Sequence, residues 1–324
     1  VTARAAGTAT LAVEAGWGRR VRRTTVPVTV EAPPPPPTPP TPPAPPSGAF
    51  RVTVRYAAPV SAADRATVDA AIARWQRVIT RTPPDVRVVV GAGDCGAGMP
   101  AVDETVSGIL LLVRLAPIDG PDGTLGSAGP CVVRDDGAGG FGIPALGVIT
   151  LDSDDLAPMR ADGTLLDVMT HEIGHTLGLG TLWDEAGQRH VQGAQGPDPQ
   201  YVSLGARTRA ARLGYVAPGA TVPVENVGGV GSAGSHWRET VFGTELMSST
   251  IARAGNPLSA VTIGALADLG YDVTDAGAEP AGPAITSRRG AVVGADAVGR
   301  TPLRDVLVRP IGVAGPDGRV RPRR

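Results

Sequence analysis

The chain has 324 residues, with 30 basic and 31 acidic side chains and a formal charge of −1, so neither nucleic acid nor an anionic membrane would be drawn to it over long range. Its 42% hydrophobic content can fill a core, but 44 Gly, 32 Pro and only 3% aromatic residues imply long irregular loops and segments that do not fold. The longest purely apolar run, 109–113, falls far short of the roughly 20 residues that cross a bilayer, and no secretory leader is visible at Val1.

Residues 1–31 alternate as strands do ("TATLAVEA", "RTTVPVTVE") but are too few to enclose a core, and they read as the end of a β-sandwich-like module. The next stretch, 32–48, is rich in proline, which imposes polyproline II geometry and makes a stiff spacer. A folded domain is expected over 49–275. In "FRVTVRY", Phe50, Val52, Val54 and Tyr56 share one face of a strand. A helix should follow, capped by Ser61 with Asp64 at its third position, carrying Val68, Ile72, Trp75 and Ile79 on one side and stopped by Pro83 and Pro84.

"VRVVV" and "GILLLVRL" read as buried strands joined by a Gly-rich excursion that contains Cys95. A bridge from Cys95 to Cys131 would staple that loop and imply an oxidising compartment; neither cysteine has a C-x-x-C partner that would suggest a thiolate zinc site. "LGVITLD" (Leu146–Asp152) is expected as an exposed sheet edge able to pair with an extended peptide. Acidic clusters around Asp119, Asp135 and Asp154 are weighed as Ca2+ sites against the commoner reading, turns and helix caps. From 276 to 324 the composition shifts to Ala, Gly, Pro and Arg, and a largely disordered tail is expected, with a small strand unit around "AVVGADAVG" as the alternative.

The chemistry concentrates in "DVMTHEIGHTLGLGTLW". A helix over Thr164–Leu177 would bury Leu166, Met169, Ile173 and Leu177, with His171 and His175 on another face. Residues four apart on a helix have β-carbons about 5 to 6 Å apart, so both imidazoles can reach one ion. Glu172 lies beside them, placed to hydrogen-bond a water on the metal. Gly178 would end the helix, and the interior Gly174, unfavourable in a helix, suggests close approach of another segment. A catalytic zinc site wants a third protein ligand. The metzincin spacing would put a histidine at position 181, which is Thr181. The open candidates are His190, His236, Asp184, Glu185, Glu225 and Glu239.

With these blocks in view the chain resembles the leishmanolysin-like metalloproteases, metzincins with an insertion between the glycine and the third histidine. "HEIGHTLGLGTLW", "SHWRETVFGTELM" and "LSAVTIGALADLGYDV" carry the resemblance, supported upstream by "IDGPDGTLGSAGP" and "GVITLDSDDL"; together they span roughly 50–273. The resemblance implies an α+β, metzincin-like zincin. A mixed twisted sheet and the active-site helix would form an N-terminal subdomain (49–178), followed by an irregular, loop-rich C-terminal subdomain (179–275). It further implies one catalytic Zn2+ held by His171, His175 and His236, Glu172 as general base, and Met247 in a turn beneath the metal. The expected function is a secreted or cell-surface zinc endopeptidase acting on protein or peptide substrates, with surface association through modules outside this chain. The alternatives are a zincin with a downstream glutamate as third ligand, Glu225 or Glu239, and a non-catalytic adhesive module displaying an inert zincin domain.

Overall fold

The first alternating residues form an antiparallel hairpin, β1 (Gly7–Trp17) and β2 (Arg20–Val30), paired in register from Gly7 opposite Val30 to Trp17 opposite Arg20. The computed structural model describes residues 7–17, 20–30, 50–137, 140–185, 188–229, 231–253, 255–281 and 300–322. The hairpin belongs to one compact unit, Val1–Pro43, and the rest of the chain to a second, Ala44–Arg324. The proline-rich stretch and the "AVVGADAVG" unit lie outside the described residues.

In the second unit β3 (Val52–Tyr56) leads into α1 (Ala62–Gln76), where the Ser61 hydroxyl accepts from the Asp64 N–H as an N-cap. Next come β4 (Val86–Val90), β5 (Val102–Val106), β6 (Ile109–Ala116), β7 (Gly126–Asp135) and β8 (Phe141–Asp152). β3, β6 and β8 run parallel, and β7 runs antiparallel to β8. The fold is therefore α+β with a mixed sheet. β6 is apolar without alternation because both its faces are covered. Ile109, Leu111 and Val113 join a core with the helices, while Leu110 and Leu112 join a second core with Val88, Val102 and Val106.

β8 lies between β6 and β7, which corrects the expectation of a free edge at Leu146–Asp152. The strand that covers β8 is β7, whose Gly, Ser, Ala and Pro content gives little strand signal and whose other side is taken by strands of the tail. Pro130 lacks an N–H and is tolerated there, where the register with β8 is also irregular.

Beyond β8 follow α2 (Leu156–Asp162), α3 (Leu165–Thr176), β9 (Val191–Gln192), β10 (Gln200–Tyr201), α4 (Leu204–Arg212) and β11 (Val222–Pro223). Then come α5 (Glu239–Phe242), β12 (Thr250–Ala252) and α6 (Ala260–Asp268), which Ser259 caps through the N–H groups of Val261 and Thr262. α1 is anchored to α3 by the Trp75 indole, which donates to the Thr170 carbonyl at 3.0 Å. The buried Arg74 reinforces that contact by reaching Asp167 and Glu279, each at 2.6 Å. Such a group is costly to bury alone, so the two carboxylates decide where α1 sits.

The tail after Asp275 departs from its expected disorder. Residues 300–322 form β13 (Arg300–Pro302), β14 (Val306–Leu307), β15 (Gly312–Ala314) and β16 (Val320–Pro322). β13 pairs with β12, β14 and β15 pair in parallel with β7, and β16 closes on β15. The sheet edge supplies partners that the tail's composition alone could not.

Cys95 and Cys131 form a disulfide with a sequence separation of 36 residues, tying the Gly-rich excursion to β7. In the chain-entropy account a loop of this size contributes about 4 kcal/mol. Reduction should therefore lower the urea midpoint clearly; equal midpoints for reduced and oxidised protein would show that the excursion is held by other contacts.

Candidate metal centre

α3 begins at Leu165, and its interior Gly174 is where two other elements close in: a β-carbon there would lie 2.7 Å from the Met247 sulfur and 3.0 Å from the Trp75 ring. That is the close approach the sequence suggested. The helix ends at Thr176, and Gly178 follows with φ of 103°, a conformation that L side chains resist. Gly180, at φ 71°, is where the His236 segment arrives: a β-carbon would lie 2.1 Å from the Ser235 carbonyl oxygen. Two glycines past the helix thus let residues 61 positions apart in sequence meet.

The meeting point is fully buried. His171 Nε2 lies 2.9 Å from His175 Nε2 and 3.1 Å from His236 Nε2, and the latter two are 3.2 Å apart. Each ring is oriented from its other nitrogen. His171 Nδ1 donates to the Leu246 carbonyl at 2.6 Å, His175 Nδ1 to Leu179 at 2.8 Å and His236 Nδ1 to Ser232 at 3.1 Å. A carbonyl can only accept, so a neutral ring held this way has its unprotonated Nε2 facing the other two. Burial lowers the His175 pKa to about 4, which keeps that ring neutral near pH 7.

Three lone pairs facing one another repel unless a cation lies among them. Tetrahedral zinc with bonds of about 2.0 to 2.1 Å would put its ligand atoms about 3.3 Å apart, close to the separations here. The donor set therefore fits a divalent metal of the zinc type. Among the described residues, one cluster of metal-ligating side chains can hold an ion, and it contains a fourth member, Asp305. Its Oδ2 lies 3.1, 3.4 and 3.0 Å from the Nε2 atoms of His171, His175 and His236. Like the three Nε2 lone pairs, this carboxylate oxygen needs a cation among them to sit at such distances without repulsion.

Glu172 also lies in this buried region. Both its carboxylate oxygens are buried without a hydrogen-bond partner. Burial, and then repulsion from Asp305, push its pKa well above that of an ordinary glutamate. β7 passes so close that a β-carbon on Gly126 would lie 2.3 Å from Glu172 Oε1, so the glycine there makes room for this carboxylate.

Met247 is fully buried, with its sulfur packed against Gly174 of α3. Its turn is tied to α6 through Glu245, which accepts from the Met247 N–H at 2.6 Å and from the Ser259 and Thr262 hydroxyls at 2.7 and 2.6 Å. The Trp237 N–H donates to the Met247 carbonyl, so the turn and the His236 segment position each other.

The other candidate third ligands turn elsewhere. His190 bonds to Ser203 and Gln188, Glu225 accepts from the N–H groups of Asn226, Val227 and Glu239, and Glu239 pairs with Arg300. Glu185 faces Arg309. Asp119 accepts from the Thr124 N–H and hydroxyl, Asp135 accepts from the Gly137 N–H and pairs with Arg321, and the Asp154 N–H donates to Asp152. These acidic positions serve turns and the tail. Asp305 was missed in the sequence because it sits among arginines. The surrounding "PLRDVLV" carries no ligand motif that could have pointed to it.

A family profile described as leishmanolysin matches residues 93–280, a stretch that includes α3, His236 and the Met247 turn. The chain is 29% identical to a leishmanolysin of Leishmania tropica over 188 residues, 56% of this chain and 27% of that protein. With a leishmanolysin of Leishmania chagasi it shares 29% identity over 210 residues, 62% of this chain and 34% of the relative. A leishmanolysin homolog of Crithidia fasciculata is 33% identical over 133 residues, 40% of this chain and 20% of its own length. The match thus spans about a third or less of these relatives. The extent of the profile match and the site it encloses establish that the chain belongs to the leishmanolysin family of metallopeptidases.

Proposed function

We propose that the chain is a zinc-dependent endopeptidase in which His171, His175 and His236 hold the ion and Glu172 is the general base. The observation that carries the reading is the convergence of three buried Nε2 atoms, each ring fixed by a carbonyl, next to a buried carboxylate. Zinc bound there would supply Lewis acidity, polarising a peptide carbonyl and lowering the pKa of a water toward about 7. Glu172 then accepts the proton of the attacking water and returns it to the leaving amine. Its tight fit against Gly126 limits the directions in which the carboxylate can point.

β7 is the strand that flanks Glu172, and the side of it now paired with β14 and β15 is where an extended peptide would pair through main-chain hydrogen bonds, running antiparallel, once those strands are displaced. Such pairing fixes the scissile bond without requiring a particular sequence. The disulfide supports an extracellular or cell-surface setting, since such bonds persist in oxidising compartments. No helix among the described residues is long and apolar enough to cross a membrane.

Glu172→Gln should keep stoichiometric zinc while casein hydrolysis falls by at least about 100-fold, the scale of general-base catalysis; appreciable turnover would overturn the base assignment. His236→Ala should lose zinc and activity together. Retention of one zinc per chain by that variant, measured by atomic absorption, would move the third-ligand role to another residue.

A further inference from the structure

A catalytic zinc site keeps one position open, whereas a site with four protein ligands is of the closed, structural kind. Here Asp305 supplies the fourth donor, and Glu172 is sealed from solvent beside it. We propose that the C-terminal segment 300–314 is an autoinhibitory strap, with Asp305 as a displaceable fourth ligand that holds the enzyme latent. The inference rests on the zinc-endopeptidase reading above.

The strap lies along the edge that substrate would need. Its Leu303 carbonyl accepts from Leu125, the Val308 N–H donates to Ala128 and the Ile311 N–H donates to Cys131. β14 runs parallel to Ser127–Ala128 and β15 parallel to Val132–Val133. That direction is opposite to the antiparallel one proposed above for a substrate, so the strap can cover the site without presenting its own peptide bond in a productive orientation.

The surrounding chain is shaped to receive it. A β-carbon on Gly129 would lie 2.0 Å from the Val308 carbonyl oxygen, and one on Gly231 would lie 2.1 Å from that of Asp305. Leu303 is fully buried in the core shared with the helices. Arg300 pairs with Glu239 at 2.6 Å, and Arg309 donates to the Thr181 carbonyl at 2.5 Å. Between these anchors Arg304 is a non-glycine residue at φ 53°, a left-handed conformation disfavoured for side-chain-bearing residues. That turn aims Asp305 at the three histidines, so part of the docking energy is held as local strain.

The test compares the full zinc-loaded chain with Asp305→Ala and Gly129→Ala. The first removes the ligand; the second leaves every metal ligand in place and clashes with the strap at a different point. Acetohydroxamate binding by calorimetry reports access to the metal, and the rate of tryptic cleavage after Arg304 and Arg309, read by mass spectrometry, reports release of the strap. Both variants should retain one zinc and bind acetohydroxamate at least about tenfold more tightly, because the competent fraction limits apparent affinity. Cleavage after Arg304 and Arg309 should also quicken.

Unchanged hydroxamate affinity in both variants would overturn the proposal, as would loss of zinc from Asp305→Ala, which would make Asp305 a permanent structural ligand. If Asp305→Ala does not fold, Gly129→Ala decides alone. Tighter hydroxamate binding without any casein hydrolysis would leave the strap standing and remove the endopeptidase reading.

Discussion

Three imidazoles donating from Nδ1 to backbone carbonyls turn their Nε2 lone pairs toward a common point, and the rest of the site follows from the cost of holding them there. Without a cation that arrangement is repulsive, so binding energy for a metal is also energy that orders the chain segments bearing the ligands. Those segments are far apart in sequence. Helix α3 supplies two rings by its own geometry. The third arrives through the Gly180 contact with Ser235, and its neighbour Trp237 hydrogen-bonds to the Met247 turn. The carbonyl that orients His171 comes from Leu246 in that same turn, so the Met247 turn and the His171 ring are mechanically one unit.

What the sequence made legible was local. The capped helix at Ser61, the apolar run of β6 and the H-E-x-x-H helix all express short-range rules of capping, periodicity and spacing. Gly174 could be read as a close-approach position because an interior helical glycine has few other reasons to exist. The third histidine could not be chosen by spacing alone, since the insertion erases the fixed register; the family resemblance pointed to His236.

What was not legible depends on partners remote in sequence. β8 reads as an edge strand because it is the last strand legible before the H-E-x-x-H helix, yet β7 covers it with a stretch whose Gly and Pro suggest a loop. The tail reads as disordered because composition counts its arginines and prolines, whereas its order comes from a sheet edge, a buried Leu303 and anchors at Glu239 and Thr181. Asp305 carries no motif. Its role arises from the strand pairing that delivers it, so it became apparent only in three dimensions.

X-ray absorption at the zinc edge of the intact, metal-loaded chain tests the central claim most directly, since it reads the donor atoms without reference to activity. The account predicts four-coordinate zinc with the multiple-scattering signature of three imidazoles and one oxygen donor, all at about 2.0 to 2.2 Å. A sulfur shell, a six-coordinate oxygen environment or a signature of fewer than three imidazoles would contradict it.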